Sequence, residues 1–185
     1  MQGWVYVRCR RVLIAFGLIA GCLSGGPALA KDSMLHGTNG EPALLTVGVG
    51  SIGNIVTKRN DAVLFSAEYR AGPKLELFYI RPSLGIIATT DKSLYGYFCL
   101  SGDIFFGRRI VLTPQAAVGG YSAGDGQDLG GTLEFKTGAT LAWRFDNHSR
   151  IGLGFHHISN ANIYDHNPGT ELLSLYYSHP ISFGW

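Results

Sequence analysis

From Gly131 to Arg144 the character of the side chains changes at nearly every step: Leu133, Phe135, Ala139, Leu141 and Trp143 fall on one parity, and Glu134, Lys136, Thr140 and Arg144 on the other. A period of two belongs to a β-strand whose faces meet different surroundings, because successive side chains leave the pleat on opposite sides. The same split runs through residues 62–70, with Val63, Phe65, Ala67 and Tyr69 against Ser66, Glu68 and Arg70. It recurs over 110–119, with Ile110, Leu112, Ala116 and Val118 against Thr113 and Gln115. No apolar stretch after residue 30 is long enough for a membrane-spanning helix. Alternation alone leaves open whether the apolar face lines a soluble sandwich or coats a membrane barrel.

Three features favour the barrel. Strand-like segments fall at 43–52, 60–71, 75–88, 93–105, 108–120, 131–145, 149–159 and 170–185, an even count of eight. Several exceed the roughly 9 to 11 residues that a tilted strand needs to cross hydrocarbon. The last ends at Phe183-Gly184-Trp185, and a terminal aromatic on an alternating strand resembles the assembly signal of bacterial outer-membrane barrels; Trp143, Tyr176, Tyr177 and Trp185 are expected at the interfacial girdles. The expected fold is therefore all-β: an eight-stranded antiparallel transmembrane β-barrel. Short turns near 71–74 and 146–149 alternate with longer connections at 52–60, 121–130 and 160–170, which puts the longer set outside the cell. Arg81, Pro82 and Ser83 disturb the third segment, and a bulge is expected there. Glu68, Arg70, Glu134, Lys136 and Arg144 are expected to form an ion-pair network plugging the lumen.

Ahead of the barrel, residues 1–30 read as a cleavable signal peptide. Arg8, Arg10 and Arg11 precede an apolar run from Val12 to Leu23, and Ala28-Leu29-Ala30 offers a cleavage site that leaves 31–185 as the barrel domain, beginning at Lys31. An anchor helix fits less well, because Gly25, Gly26 and Pro27 break the run; a lipoprotein signal ending at Cys22 ranks second. Loss of the three arginines takes the formal charge from +2 to −1, so no nucleic-acid footprint remains. Cys9 and Cys22 leave with the signal, and Cys99 then has no intramolecular partner.

Polar residues appear where parity demands lipid. His157 and Ser159 share the face of Ile151, Leu153 and Phe155, and Glu171 shares that of Leu173, Leu175 and Tyr177. The two strands are consecutive and antiparallel, so all three residues are expected at one extracellular rim, where polar groups cost little. A hydroxyl, an imidazole and a carboxylate are what acyl transfer needs: a nucleophile, its base, and a group that orients the base. The plainer alternative is an ordinary polar rim. His156 faces the lumen by parity, and His156, His157, His166 and His179 form no recognised ligand spacing, so no metal or other cofactor is expected.

His157-Ile158-Ser159-Asn160-Ala161, followed by Asn167-Pro168-Gly169 and Glu171, resembles the signature of the PagL lipid A 3-O-deacylases, eight-stranded outer-membrane enzymes of Gram-negative bacteria. The likeness is sharp over residues 152–178 and architectural elsewhere. It implies Ser159 as nucleophile, His157 as base and Glu171 as the orienting acid, with Asn160 and Asn167 serving the oxyanion hole or its geometry, if they are not plain turn residues. It further implies lipid A of lipopolysaccharide as substrate, the outer membrane as location and its lipids as surroundings. Two rival functions stay open: a phospholipase or acyltransferase using the same groups, and a non-catalytic structural barrel. A homodimer, with a second barrel covering part of the apolar exterior, is equally compatible with the sequence.

Overall fold

The computed structural model of the chain describes residues 41–54, 59–72 and 79–181. The expected signal segment 1–30 with Cys22 and its cleavage site, the mature start at Lys31, and the terminal Phe183-Gly184-Trp185 lie outside these residues. Among the described residues there are nine strands: β1 (Ala43–Asn54), β2 (Arg59–Arg70), β3 (Ile80–Thr89), β4 (Leu94–Gly102), β5 (Ile104–Phe106), β6 (Ile110–Ser122), β7 (Leu133–Arg144), β8 (Arg150–Ser159) and β9 (Thr170–Ile181). Strands β4 and β5 are two parts of one stave interrupted at Asp103, since both pair with β6. All pairings are antiparallel, β1 pairs with β9, and β4 with β6 closes the ring, giving a barrel of eight staves. The β4–β6 pairing closes the ring of the long strands, the condition for strands to cross hydrocarbon.

Apolar side chains cover the outside. Leu45, Val47, Val49, Phe65, Leu84, Ile86, Leu141, Leu153, Phe155, Leu173 and Leu175 are all exposed. Tyr69, Trp143, Phe145 and Tyr177 gather at the end that carries the 145–149 turn. Tyr176 is not among them: it points inward, its ring edge-on to His156, because it sits one residue off the outward parity. The expected bulge in the third segment is also absent from the described residues. Pairing of β3 with β4 runs without a shift from Ile80 to Ala88. Arg81 and Ser83 are simply lumenal positions, while Ile80, Leu84 and Ile86 face out.

The lumen is layered. Toward the end carrying the 123–132 and 160–169 loops it is apolar, built from Ile52, Leu64, Ile87, Tyr95, Tyr121, Ile158 and Leu172 and capped by Leu129. Toward the other end it is ionic. Arg70 pairs with Asp103 and Glu68, Arg150 bridges Asp103 and Glu41, Arg144 donates to Glu41, and Lys136 lies 3.9 Å from Glu68. Glu134 does not join this network: its carboxylate is buried without a hydrogen-bond partner among the described residues, because its position on β7 lies in the apolar layer.

Glu41 precedes β1 and closes the ionic end. Burial pushes its carboxyl pKa up, but hydrogen bonds and charges from Arg144 and Arg150 outweigh burial and hold it below the ordinary value of 4.5. A carboxyl whose pKa falls on folding contributes stability that is complete above the unfolded value and is lost as pH drops through the folded one. Glu41→Gln is thus expected to lower the thermal unfolding midpoint at pH 7, and the gap to the parent protein should close as both are melted at progressively more acidic pH. A gap that persists below pH 3 would assign Glu41 a packing role instead.

Candidate active site

The outward face of β8 and β9 is a ladder of apolar rungs with one polar rung on top. Register sets Trp143, Ile151 and Tyr177 side by side, then Leu141, Leu153 and Leu175, then Ala139, Phe155 and Leu173. The next rung is Thr137, His157 and Glu171, and Ser159 stands one step further, opposite Phe135. His157 and Glu171 are direct cross-strand partners, the arrangement in which side chains interact most strongly across a sheet. The imidazole Nδ1 lies 3.6 Å from Glu171 Oε1. That separation suits an ion pair, and a small rotamer change would close it to a hydrogen bond. Glu171 Oε2 is buried and has no hydrogen-bond partner among the described residues.

Ser159 shares the outward parity of His157, about 6.6 Å along the strand by the ordinary rise. No hydrogen bond joins its hydroxyl to the imidazole, a common condition of catalytic groups before substrate binds. The Nε2 edge of His157 faces Gly169. A Cβ at that position would lie 2.7 Å from the imidazole Cε1 and 3.0 Å from Nε2, and the glycine adopts φ +62°. Glycine is needed here twice over, for the left-handed backbone and for the close approach.

The 160–169 loop that holds Gly169 is organised by Asn160, which is fully buried. Its amide Nδ2 donates to Leu129 O and His166 O, both at 2.8 Å, and its Oδ1 accepts from the Asn162 backbone N–H. Asn167 Oδ1 accepts from Asn160 N, and Asn167 Nδ2 donates to Asn162 Oδ1. Both amide N–H donors of Asn160 and one of the two on Asn167 are therefore engaged within and between these loops. Tyr164 extends the loop back over β7, where its ring occupies the space above Gly131 and its hydroxyl accepts from Leu133 N.

His156 is buried in the lumen, with Nε2 3.1 Å from Gln115 Oε1. Among the described residues no three His, Cys, Asp or Glu side chains gather as a metal site would require. Sequence reasoning passed over Gln127, whose Nε2 donates to Gly169 O at 3.0 Å. It passed over Asp103 as well, although the alternation of the fourth segment, continued from Cys99 and Ser101, already placed that residue inside.

A family model described as "Lipid A 3-O-deacylase (PagL)" matches residues 95–180, which include the whole polar rung. Among solved structures, the outer membrane enzyme PagL superposes with a TM-score of 0.57 at 21% identity, covering 75% of this chain and 100% of that one. Neisserial surface protein A follows at 0.49 and 9% identity, covering 75% of this chain and 96% of that one. The outer membrane protein Ail of Yersinia pestis stands at 0.44 and 13%, covering 75% and 100%. No curated protein matches the chain. With a closed barrel, an apolar exterior and a family match that spans five of its eight staves, this chain is similar to the PagL-type outer-membrane β-barrels.

Proposed function

We propose that the protein is a serine esterase that removes the ester-linked 3-hydroxyacyl chain at the 3-position of lipid A, using Ser159, His157 and Glu171 on the outer wall of the barrel. One observation carries the reading: His157 and Glu171 are cross-strand partners on an outward polar rung set directly above unbroken apolar rungs. An amphiphile lying in the outer leaflet would meet that boundary with its acyl chains against Leu153, Phe155 and Leu173 and its esters level with Ser159. The longer loops at this end agree with an extracellular position, and the family match points to lipid A.

In this mechanism Ser159 Oγ attacks the ester carbonyl while His157 Nε2 takes its proton. Glu171 holds Nδ1–H and stabilises the imidazolium. Because Gly169 has no side chain, the Nε2 edge stays accessible to the serine hydroxyl and later to water. The sugar alcohol leaves with the proton from His157, and water then releases the hydroxy fatty acid from the acyl-serine, restoring the enzyme. Backbone N–H groups of the 160–169 loop are the donors for the tetrahedral oxyanion, with Asn160 and Asn167 fixing where they point.

The test is to incubate the purified full-length barrel with lipid A and, separately, with phospholipid, and to weigh the products by mass spectrometry. Loss of one 3-hydroxyacyl chain from lipid A alone is the expected result. Hydrolysis of phospholipid alone would transfer the same chemistry to a phospholipase. No change in either lipid would leave a structural barrel.

A further inference from the structure

Resting on that reading, we infer that Gln127, on the loop joining β6 to β7, is a positioning residue for His157. A continuous brace runs from the barrel core to the imidazole. Tyr121, buried in the lumen near the end of β6, donates its hydroxyl to the Gln127 backbone carbonyl at 2.7 Å. Gln127 Nε2 then donates to Gly169 O at 3.0 Å, crossing from one loop to the other. Gly169 in turn sits against the Cε1–Nε2 edge of His157, so closely that even a methyl group would collide.

His157 is 44% exposed and lies on the outer wall, where no core packing fixes its ring. Glu171 restrains the Nδ1 edge, and Gly169 is the contact on the opposite edge. Glycine leaves the chain free to take more than one backbone conformation here, and the Gln127 amide is the side chain that ties the Gly169 carbonyl at φ +62°. The Asn160 contacts with Leu129 O and His166 O fasten the two loops elsewhere but leave the Gly169 carbonyl untouched. Release of that carbonyl would let the peptide move back and loosen the ring about its χ angles. Misplacement of this kind lowers turnover more than binding, because the serine proton must be taken at hydrogen-bond distance in the transition state.

Gln127→Ala is expected to lower kcat on lipid A about tenfold with KM changed less than about twofold. Gln127→Glu keeps the size of the side chain but its carboxylate cannot donate, so it should behave like the alanine variant; a side chain that only fills space would predict near-parental activity for it. Tyr121→Phe, which removes the support behind Gln127, should show the same split, with kcat down about threefold and KM nearly unchanged. Retained heat-resistant migration of the folded barrel on a denaturing gel confirms that each variant still folds. An NMR spectrum of the His157 imidazole at one fixed pH in the Ser159→Ala background needs no turnover. There, Gln127→Ala and Gln127→Glu should shift and broaden the ring resonances as the imidazole loses its fixed contact with Gly169, whatever the substrate proves to be. Parental kinetics and a parental imidazole spectrum in both Gln127 variants would overturn the brace. A parent inactive on lipid A, with the resonance changes present in the Gln127 variants, would overturn the proposed substrate and leave the brace standing.

Discussion

Replacement of Ser159 by alanine is expected to reduce lipid A deacylation by about 10⁴-fold or more while the barrel still folds. The size of the loss follows from the kind of step removed. Without the hydroxyl no acyl-enzyme forms, and what remains is whatever His157 and the loop donors can do for direct attack by water. Stability should hardly change, because Ser159 lies on the outer face at the last residue of β8 and its side chain makes no hydrogen bond among the described residues. Glu171→Gln should also be severely impaired, since an amide can neither fix the tautomer nor stabilise the imidazolium through its charge. Mass spectra of lipid A from cells expressing each form give the readout. Loss of the 3-hydroxyacyl chain at the parental rate in the Ser159→Ala cells would end the mechanism.

Asp103→Ala is expected to destabilise the barrel by about 3–5 kcal/mol, the usual cost of removing one partner from a buried ionic group. Asp103 interrupts the stave between β4 and β5, and its carboxylate accepts from Arg70 at 3.2 Å, Thr113 at 2.7 Å and Arg150 at 2.7 Å. Its side chain is almost wholly buried. Truncation would strand two guanidinium groups in the lumen with only Glu41 and Glu68 to share between them. Urea unfolding in lipid vesicles measures the effect. Most of it should return when Arg150→Leu is added, because the double variant no longer carries the orphaned charge; an additive double variant would show that Asp103 acts through the local backbone of the stave.

The parts of this molecule that could be read from sequence are those with a period. Strands β7, β8 and β9 alternate cleanly, and parity alone put His157, Ser159 and Glu171 outside and His156 inside. Parity failed where a polar residue was taken for an interruption: Arg81 is an ordinary lumenal position, its guanidinium donating to Ala71 O and Pro42 O. Glu134 was assigned to the ionic network because alternation tells inside from outside but not height along the barrel axis, and that height decides whether a lumenal carboxylate meets arginine or leucine. Loop contacts were wholly hidden. Gln127 to Gly169 and Asn160 to Leu129 join residues from two connections that meet only in space, and turn composition carries no record of such meetings.

The polar rung opens sideways, along the plane of the bilayer, while the lumen behind it is filled by side chains. Under the proposed function the substrate arrives by lateral diffusion within a sheet of lipid, so the quantity that governs encounter is the surface density of that lipid rather than its bulk concentration. Diluting the surrounding film with inert detergent at constant total lipid should therefore slow the protein's traffic with its partner just as removing that partner would.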